Sequence, residues 1–328
     1  MEKTPQSLLE PLVFRDGRSL PCRIIPGPME GISEGSFVTV MSEMGMARCW
    51  FTPFIRISNG VPRMARLREK LEPYLATGRP VIAQIMGTYP ELLAVAAARL
   101  HSLGAVCVDL NCGCPSPTVI GSHSGGYHLT DPDWMFTAIT AMRSACGDAA
   151  VSVKIRCGFK SIDEMEDIAA AVREASPDMV TCHFRTVKEL YRPVADGLSR
   201  LAKMRSLLPD VPLIGSGDLF TVGDAVKMVR ETGVDGVAPA RGLIRNPALL
   251  MEIEAECRRQ LESDDGVPPS HRETLSSAER FEFLERVGHL SGLPPKQRGF
   301  LLRMAREMFG EDSPEFKKLL DAIANKNQ

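Results

Sequence analysis

The chain has 328 residues, 44% hydrophobic and 24% charged, and its 39 Lys and Arg nearly balance 41 Asp and Glu for a formal net charge of -2. Such a composition excludes disorder, collagen and coiled coil. The charge balance excludes a chain that grips nucleic acid by bulk charge, so a polyanion has to be met by a local patch. The length suits two domains or one large barrel with an appendage. There is no apolar stretch in the first 22 residues of the kind a secretory signal needs, and the longest apolar run, 92–98, is too short to span a bilayer. A cytoplasmic chain is expected, without a membrane partner, whose 9 cysteines are free thiols, ligands or nucleophiles.

In chain order, residues 1–22 form an N-terminal extension. Short β-rich apolar runs follow at 24–29, 48–54, 80–86, 105–111, 150–156, 179–185, 211–218 and 235–242. Between them lie helical patterns at 34–44, 62–74, 90–103, 132–145, 162–175, 198–208 and 221–232. Several open on Pro, and Gly45, Gly104 and Gly233 follow three of them as C-terminal caps do. Eight strands, each followed by a crossover, predict a (β/α)8 TIM barrel over 23–250; a doubly wound sheet also alternates, but the polar groups clustered at strand ends favour the barrel. The polar stretch 262–275 reads as a linker, and helical patterns at 278–290, 295–309 and 314–324 predict a small C-terminal helical domain within 251–328.

The strand ends carry the chemistry. A strand ends at Asn111, and the turn through Gly113 and Pro115 exposes Cys114 beside a Gly- and Ser-rich loop, 121–126, read as a flexible lid. A thiol there is a proton donor, a nucleophile or a small buried hydrophobe filling a turn. The spacing of Cys107, Cys112 and Cys114 makes no standard metal set, so no metal is expected. Lys154 and Arg156 share one strand face, where a Lys serves as a Schiff-base amine or as a fixed positive charge facing an electron-rich ring. His183 and Arg185 repeat the arrangement. Ser216, Gly217 and Asp218, with Ala240 and Arg241, end the last two strands, where barrels bind phosphate through backbone N–H groups. Two acid-free stretches, 54–68 with Arg56, Arg63, Arg66 and Arg68, and 296–306 with Lys296, Arg298, Arg303 and Arg306, are local footprints for nucleic-acid phosphates or solvated helix faces.

Taken together, Pro28-Met-Glu-Gly31, Phe54-Ile-Arg56, Gln84-Ile-Met-Gly87, Asp109-Leu-Asn-Cys-Gly-Cys-Pro115, Val153-Lys-Ile-Arg156, His183-Phe-Arg-Thr186, Gly217-Asp218 and Ala240-Arg-Gly242 resemble the tRNA-dihydrouridine synthase family, most closely its DusC branch, which acts on uridine 16. The resemblance implies an FMN-dependent oxidoreductase that uses NADPH to reduce a D-loop uridine of tRNA. It places Pro28 and Met29 against the flavin ring, Gln84 at its pyrimidine edge, Lys154 near N1 and O2, and His183 by the ribityl or phosphate region with Arg156 assisting. It gives the FMN phosphate to Ser216, Gly217, Asp218, Ala240 and Arg241, the uracil to Asn111, and the general acid to Cys114. Arg56, Lys296 and Arg298, with Arg156, are the implied contacts to tRNA; DNA is not a partner, and a monomer is the expectation. The sequence departs from the family pattern at Phe184 and Ser216, where Gly and Asn are usual, and at Pro117, His123, Tyr127 and His128 in the loop after Cys114. Rival readings are a flavin barrel acting on a free pyrimidine, a Schiff-base lyase or aldolase, and a catalytically idle tRNA-binding barrel.

Overall fold

A computed structural model describes residues 3–33, 35–265, 274–290 and 295–325. A 3-10 turn (Pro5–Leu9) and a hairpin of β1 (Leu12–Val13) and β2 (Ser19–Leu20) come first. The main sheet contains β3 (Trp50–Phe51), β4 (Ile55–Ile57), β5 (Val81–Gly87), β6 (Cys107–Asn111), β7 (Ala150–Arg156), β8 (Met179–His183), β9 (Leu213–Ser216) and β10 (Gly236–Val237). These run parallel in the order β10-β9-β8-β7-β6-β5-β3, with β4 also on β5. Between the strands lie α1 (Gly35–Glu43), α2 (Met64–Leu75), α3 (Pro90–Ser102), a single turn α4 (Pro117–Gly121), α5 (Pro132–Cys146), α6 (Met165–Ala175), α7 (Gly197–Leu207) and α8 (Val222–Thr232). After β10 come α9 (Gly242–Arg245), α10 (Leu249–Asp265), α11 (Ser277–Leu290), α12 (Pro295–Phe309) and α13 (Pro314–Asn325). The fold is the expected (β/α)8 barrel followed by a helical C-terminal region.

Local chemistry sets the element ends. Asp131 caps α5 by accepting the Trp134 N–H (3.0 Å), and Thr221 and Asp224 form a capping box at the start of α8. Gly233 ends α8 at φ 68, the left-handed conformation that glycine adopts most easily. Proline sets strand lengths. The run 48–54 splits into β3 and β4 around Pro53, and the eighth run stops two residues short of Pro239, since neither imide can donate to a ladder. The first run, 24–29, is reduced to a bridge, Ile24 to Val237, and it closes the barrel through Ile25 N–H to Val237 O (3.0 Å) and Gly27 N–H to Pro239 O (2.7 Å).

Alternation along the strands builds the barrel interior in layers. Its floor takes one apolar side chain from each of the eight strand segments: Ile25, Phe51, Ile82, Cys107, Ala150, Met179, Ile214 and Ala238. Leu12, Phe14 and Leu20 of the N-terminal hairpin belong to the same cluster, so the extension stoppers the barrel from below. Arg15 to Asp178 (2.6 Å) and the Arg18 guanidinium to the Ala105 carbonyl (2.7 Å) fasten the hairpin to the rim. At the far end of the chain, α10 packs on α8 and on the first 3-10 turn. Of the next helices, α11 and α12 dock through Phe37 of α1, whose ring meets Phe283 (5.8 Å, 85°) and Phe300 (6.1 Å, 64°) edge to face, and α13 packs on α12.

Phe14→Ala removes a ring from a cluster that touches all eight strand segments, so it is expected to destabilise the fold by about 3–5 kcal/mol. Chemical denaturation measures this. A loss below about 1 kcal/mol is what an exposed surface position gives, and would mean that the hairpin does not seal the barrel.

Candidate active site

Above the apolar floor, the inward side chains turn polar. Asp109, two residues before Asn111 on β6, is fully buried; its carboxylate accepts the Ser152 hydroxyl (2.7 Å) and the Gln84 Nε2–H (2.8 Å). The Gln84 Oε1 accepts from Asn111 Nδ2 (2.9 Å), and the Asn111 Oδ1 accepts the main-chain N–H groups of Gly113 (3.1 Å) and Cys114 (3.0 Å). These bonds leave no freedom in how the amides face. An oxygen holding two backbone N–H groups fixes Asn111, which fixes Gln84, which requires an acceptor at position 109. Each amide keeps one further N–H to offer. Burial pushes the Asp109 carboxyl up to about 7, with the Ser152 and Gln84 hydrogen bonds opposing.

Lys154 stands beside Asn111 in the β6–β7 register, half-buried and without a carboxylate partner among the described residues. Burial, and then repulsion from Arg156, lowers its ammonium to about 8. His183, at the end of β8, is buried and held neutral by desolvation and by the surrounding Arg156, Lys154, Arg185 and Arg241 cations. Its Nδ1 accepts the Arg185 N–H (3.2 Å), so the neutral ring carries its proton on Nε2.

These groups share one cavity of about 470 Å3, within the roughly 300–1,000 Å3 usual for ligand and cofactor sites. Pro28, Met29, Gln84, Asn111, Cys114 and Lys154 line it, as do Arg156 and His183; at the other side stand Ser216, Gly217, Asp218, Ala240 and Arg241. Cys114 is half-exposed. At the ends of β9 and β10, the N–H groups of Gly217, Asp218, Leu219, Arg241 and Gly242 donate to no described acceptor. A Cβ at Gly242 would lie 2.1 Å from the Leu219 carbonyl, so only glycine lets the two loops close into this ring of donors. The Ser216 hydroxyl is turned away, donating to the Ala238 carbonyl (3.2 Å).

Several expectations are corrected. Arg156, one of the implied tRNA contacts, is buried at the cavity wall, and its guanidinium donates to the carbonyls of Gly113 (2.8 Å), Thr186 (3.0 Å) and Leu190 (2.9 Å), binding the Cys114 loop to the segment after β8. Arg185 is likewise buried, gripping Asp218 with both terminal nitrogens (2.9 and 2.5 Å), while Arg241 holds the same carboxylate at 2.7 Å. Asp218 is thereby kept at φ 46, a conformation that carries strain outside glycine. The stretch 121–126 is not an open lid. It winds into α4 and the 3-10 turn Gly125–Thr130, Gly125 and Gly126 are buried, and the Gly126 N–H donates to the Cys114 carbonyl (3.0 Å). His128 is pinned there, its ring stacked on Trp134 (3.3 Å, 4°) and its Nε2–H on the Gly87 carbonyl (2.9 Å); burial lowers its pKa to about 4.

Phe184 also has a structural explanation. Its ring fills the space over Gly217 and Gly197, where a Cβ would approach to 2.4 and 2.8 Å, and the Arg185 guanidinium lies 4.8 Å from its centroid. Arg56 is exposed on β4 and donates to Ser122 Oγ (3.1 Å); it and Arg298 on α12 do not line the cavity, and Lys296 falls in the first turn of α12. Among the further lining residues are an aromatic without a motif and a cation of the basic stretch 296–306. Tyr191, 52% exposed, stands between the guanidinium groups of Arg156 (5.4 Å) and Arg241 (4.6 Å), and Arg303 reaches the cavity from α12. Only packing places either at the cavity.

A family model described as dihydrouridine synthase (Dus) matches residues 24–286. A tRNA-dihydrouridine(16) synthase of Yersinia pestis is 34% identical over 71% of this chain and 76% of its own. Those of Haemophilus influenzae and Escherichia coli K12 are 31% and 33% identical over 72% and 71% of this chain, and 78% and 75% of their own. Among solved structures, the old yellow enzyme of Trypanosoma cruzi superposes with a TM-score of 0.53 at 12% identity over 76% of this chain and 92% of its own. The 6-hydroxypseudooxynicotine amine oxidase of Pseudomonas geniculata N1 gives 0.56 at 14%, over 78% of this chain and 50% of its own. The two structures share the barrel architecture.

The buried carboxyl generates a test. With Asp109 raised from its ordinary 3.8 to about 7, the folded protein keeps a proton that the unfolded chain has released between those values, so this group costs stability progressively as pH rises through that window. Asp109→Asn leaves Ser152 free to rotate and accept, and it is expected to flatten the fall of the melting temperature between about pH 4 and 7. An unchanged pH slope would show that the carboxyl is ionised throughout.

Proposed function

The chain belongs to the dihydrouridine synthase family, and on that premise we propose that it reduces a D-loop uridine of tRNA, uridine 16, to 5,6-dihydrouridine with FMN as cofactor and NADPH as reductant. The observation that carries the reading is a single cavity in which a half-exposed thiol and a directed pair of amides face a ring of unbonded N–H groups across the barrel. The position is taken from relatives whose names specify it.

The residues present fit FMN. The five free N–H groups at the ends of β9 and β10 suit a phosphate, with Arg241 as the charge beside them. Lys154, with no carboxylate ion-paired to it among the described residues, suits the N1/O2 edge of the flavin, and the Nε2–H of His183 suits an acceptor on the ribityl or phosphate portion. Gln84 offers its spare N–H to the pyrimidine edge, and Pro28 and Met29 supply backbone against the ring. When bound, FMN supplies the two-electron chemistry, taking hydride from the nicotinamide and delivering it to C6 of the uracil. The chain's own part is to hold the base and to move one proton. Asn111 presents its spare N–H to a uracil carbonyl, its direction set from Asp109 through Gln84. Cys114 gives its thiol proton to C5, and the thiolate takes a proton back from solvent at the open mouth, so each uridine consumes one NADPH and one proton. The uracil has to leave its stack to reach this depth. Arg56 at the rim, with Lys296 and Arg298 on α12, is the proposed hold on the tRNA body.

Purified protein is expected to show flavin absorbance in the visible range; a colourless preparation that takes up no added FMN would falsify the reading. Cys114→Ala should still bind FMN and tRNA while single-turnover uridine reduction falls by about 10²–10⁴, the range for a lost general acid. Full activity in that variant would move the proton donor to another group.

A further inference from the structure

Beside the cavity stands an aromatic arrangement that the reaction leaves unused. Four rings run in contact from the start of α5 to the loop after α4. Trp134 is fixed by its Nε1–H on the Thr88 carbonyl (2.9 Å) and stacks on His128 (3.3 Å, 4°). Tyr127 meets His128 edge to face (6.2 Å, 78°) and lies tilted against His123 (4.5 Å, 31°). From His128 outward the row emerges from the protein: His128 is buried, Tyr127 half-buried and His123 exposed, and no further ring meets His123 among the described residues. The row thus ends on an open π face. That end is held in place, since the Thr88 hydroxyl donates to the His123 carbonyl (3.3 Å) and the His123 N–H donates to the Ile120 carbonyl (3.0 Å). His123 is also kept at φ 51, a left-handed conformation that carries strain outside glycine.

The open end adjoins the thiol. Gly125 follows two residues later, so close to Cys114 that a Cβ there would lie 3.1 Å from the Cys114 Cβ. On the other side, Arg56 donates to Ser122 Oγ (3.1 Å) and lies 6.0 Å from the centroid of Phe54, which lines the cavity. Phe54, Arg56 and His123 therefore make a strip from the cavity wall to the surface. A cation set between two rings is a surface that suits single-stranded nucleic acid. When a uridine leaves its stack, the bases on either side each lose a neighbour, and their bared faces need cover. We propose that His123, propped on Tyr127, is a positioning residue whose ring stacks on the base next to the flipped uridine and so keeps the target loop in register with the cavity. This rests on the uridine-reductase reading of the cavity. A stacked ring, unlike a phosphate contact, binds without releasing counterions. A platform fixed before binding also loses little freedom on contact.

The test uses the full-length, flavin-loaded protein with unmodified tRNA transcripts. In His123→Ala, tRNA binding is expected to weaken about 5–100-fold, the worth of one stacked base, with no change in the slope of log binding constant against log salt. Flavin content and KM for NADPH should match the wild type, and His123→Phe should restore most of the affinity. His123→Gly relaxes the backbone, so it should lose affinity as Ala does while its melting temperature stays at or above that of the wild type. Transcripts lacking one flanking base, on the 5′ or the 3′ side, identify the partner. On one side the missing base should weaken wild-type binding and leave His123→Ala unaffected, because both changes remove the same contact. Unchanged tRNA affinity in His123→Ala overturns the proposal, as do additive losses with both transcripts. So does a reduced salt slope, which assigns the ring to a phosphate, and so does a raised KM for NADPH with tRNA binding intact, which assigns it to the nicotinamide cofactor. A joint fall in melting temperature and affinity that Phe does not restore makes the ring merely structural and overturns it too. Wild-type protein that binds no flavin and makes no dihydrouridine defeats the functional reading itself. Wild-type activity with full affinity in His123→Ala defeats the platform alone.

Discussion

A carboxyl group buried at the centre of the barrel imposes direction on everything above it. Asp109 can only receive when ionised, so Gln84 must give to it, Asn111 must give to Gln84, and the Asn111 oxygen is left to gather the N–H groups of Gly113 and Cys114. The position of the thiol is thus decided two layers below it. The same low-dielectric interior that raises the Asp109 carboxyl lowers the Lys154 ammonium, so the two groups are held within easier reach of their neutral forms than either would be in water. The backbone N–H groups of Gly113 and Cys114 impose the same order from above, so the amide pair is held at both ends.

The arginines divide in a way their spacing conceals. Arg156 and Arg185 follow Lys154 and His183 by two residues, and alternation alone puts all four on one face. In the fold, both guanidinium groups turn into the wall. Arg156 sews three carbonyls together, and Arg185 neutralises Asp218 beneath the Phe184 ring. A buried guanidinium must satisfy several N–H donors at once, and three carbonyls from two separate loops do this where no local pattern shows it.

Strand-end chemistry was readable because it obeys the two-residue period: Gln84, Asn111, Lys154 and His183 all emerge where alternation puts them, and Asp109 was one step of the same period away. Cap and helix positions were readable for the same local reason, as Thr221 with Asp224 illustrates. Strand lengths were less so, since Pro53 and Pro239 cut the ladders short. What could not be read were partnerships closed through space. Tyr191 has no motif, Arg303 sits in a stretch that equally suits a solvated helix face, and the loop at 121–126 looks pliable until His128 is seen stacked on Trp134. The role of Phe184 needed the two glycines it covers, 13 and 33 residues downstream.

The hairpin under the barrel has a kinetic consequence. Leu12, Phe14 and Leu20 are synthesised ahead of the strands, yet their seat is a ring of eight side chains completed only when Ala238 arrives and residues 24–27 pair with 236–239. Until then the earliest apolar segment has no finished surface to rest on. Closing loops this long is slow, and an intermediate missing only the last strand would expose both the ring and its stopper to neighbouring molecules. The piece of chain made first is among the last to find its place, and the interval between those events is when the protein is most open to aggregation.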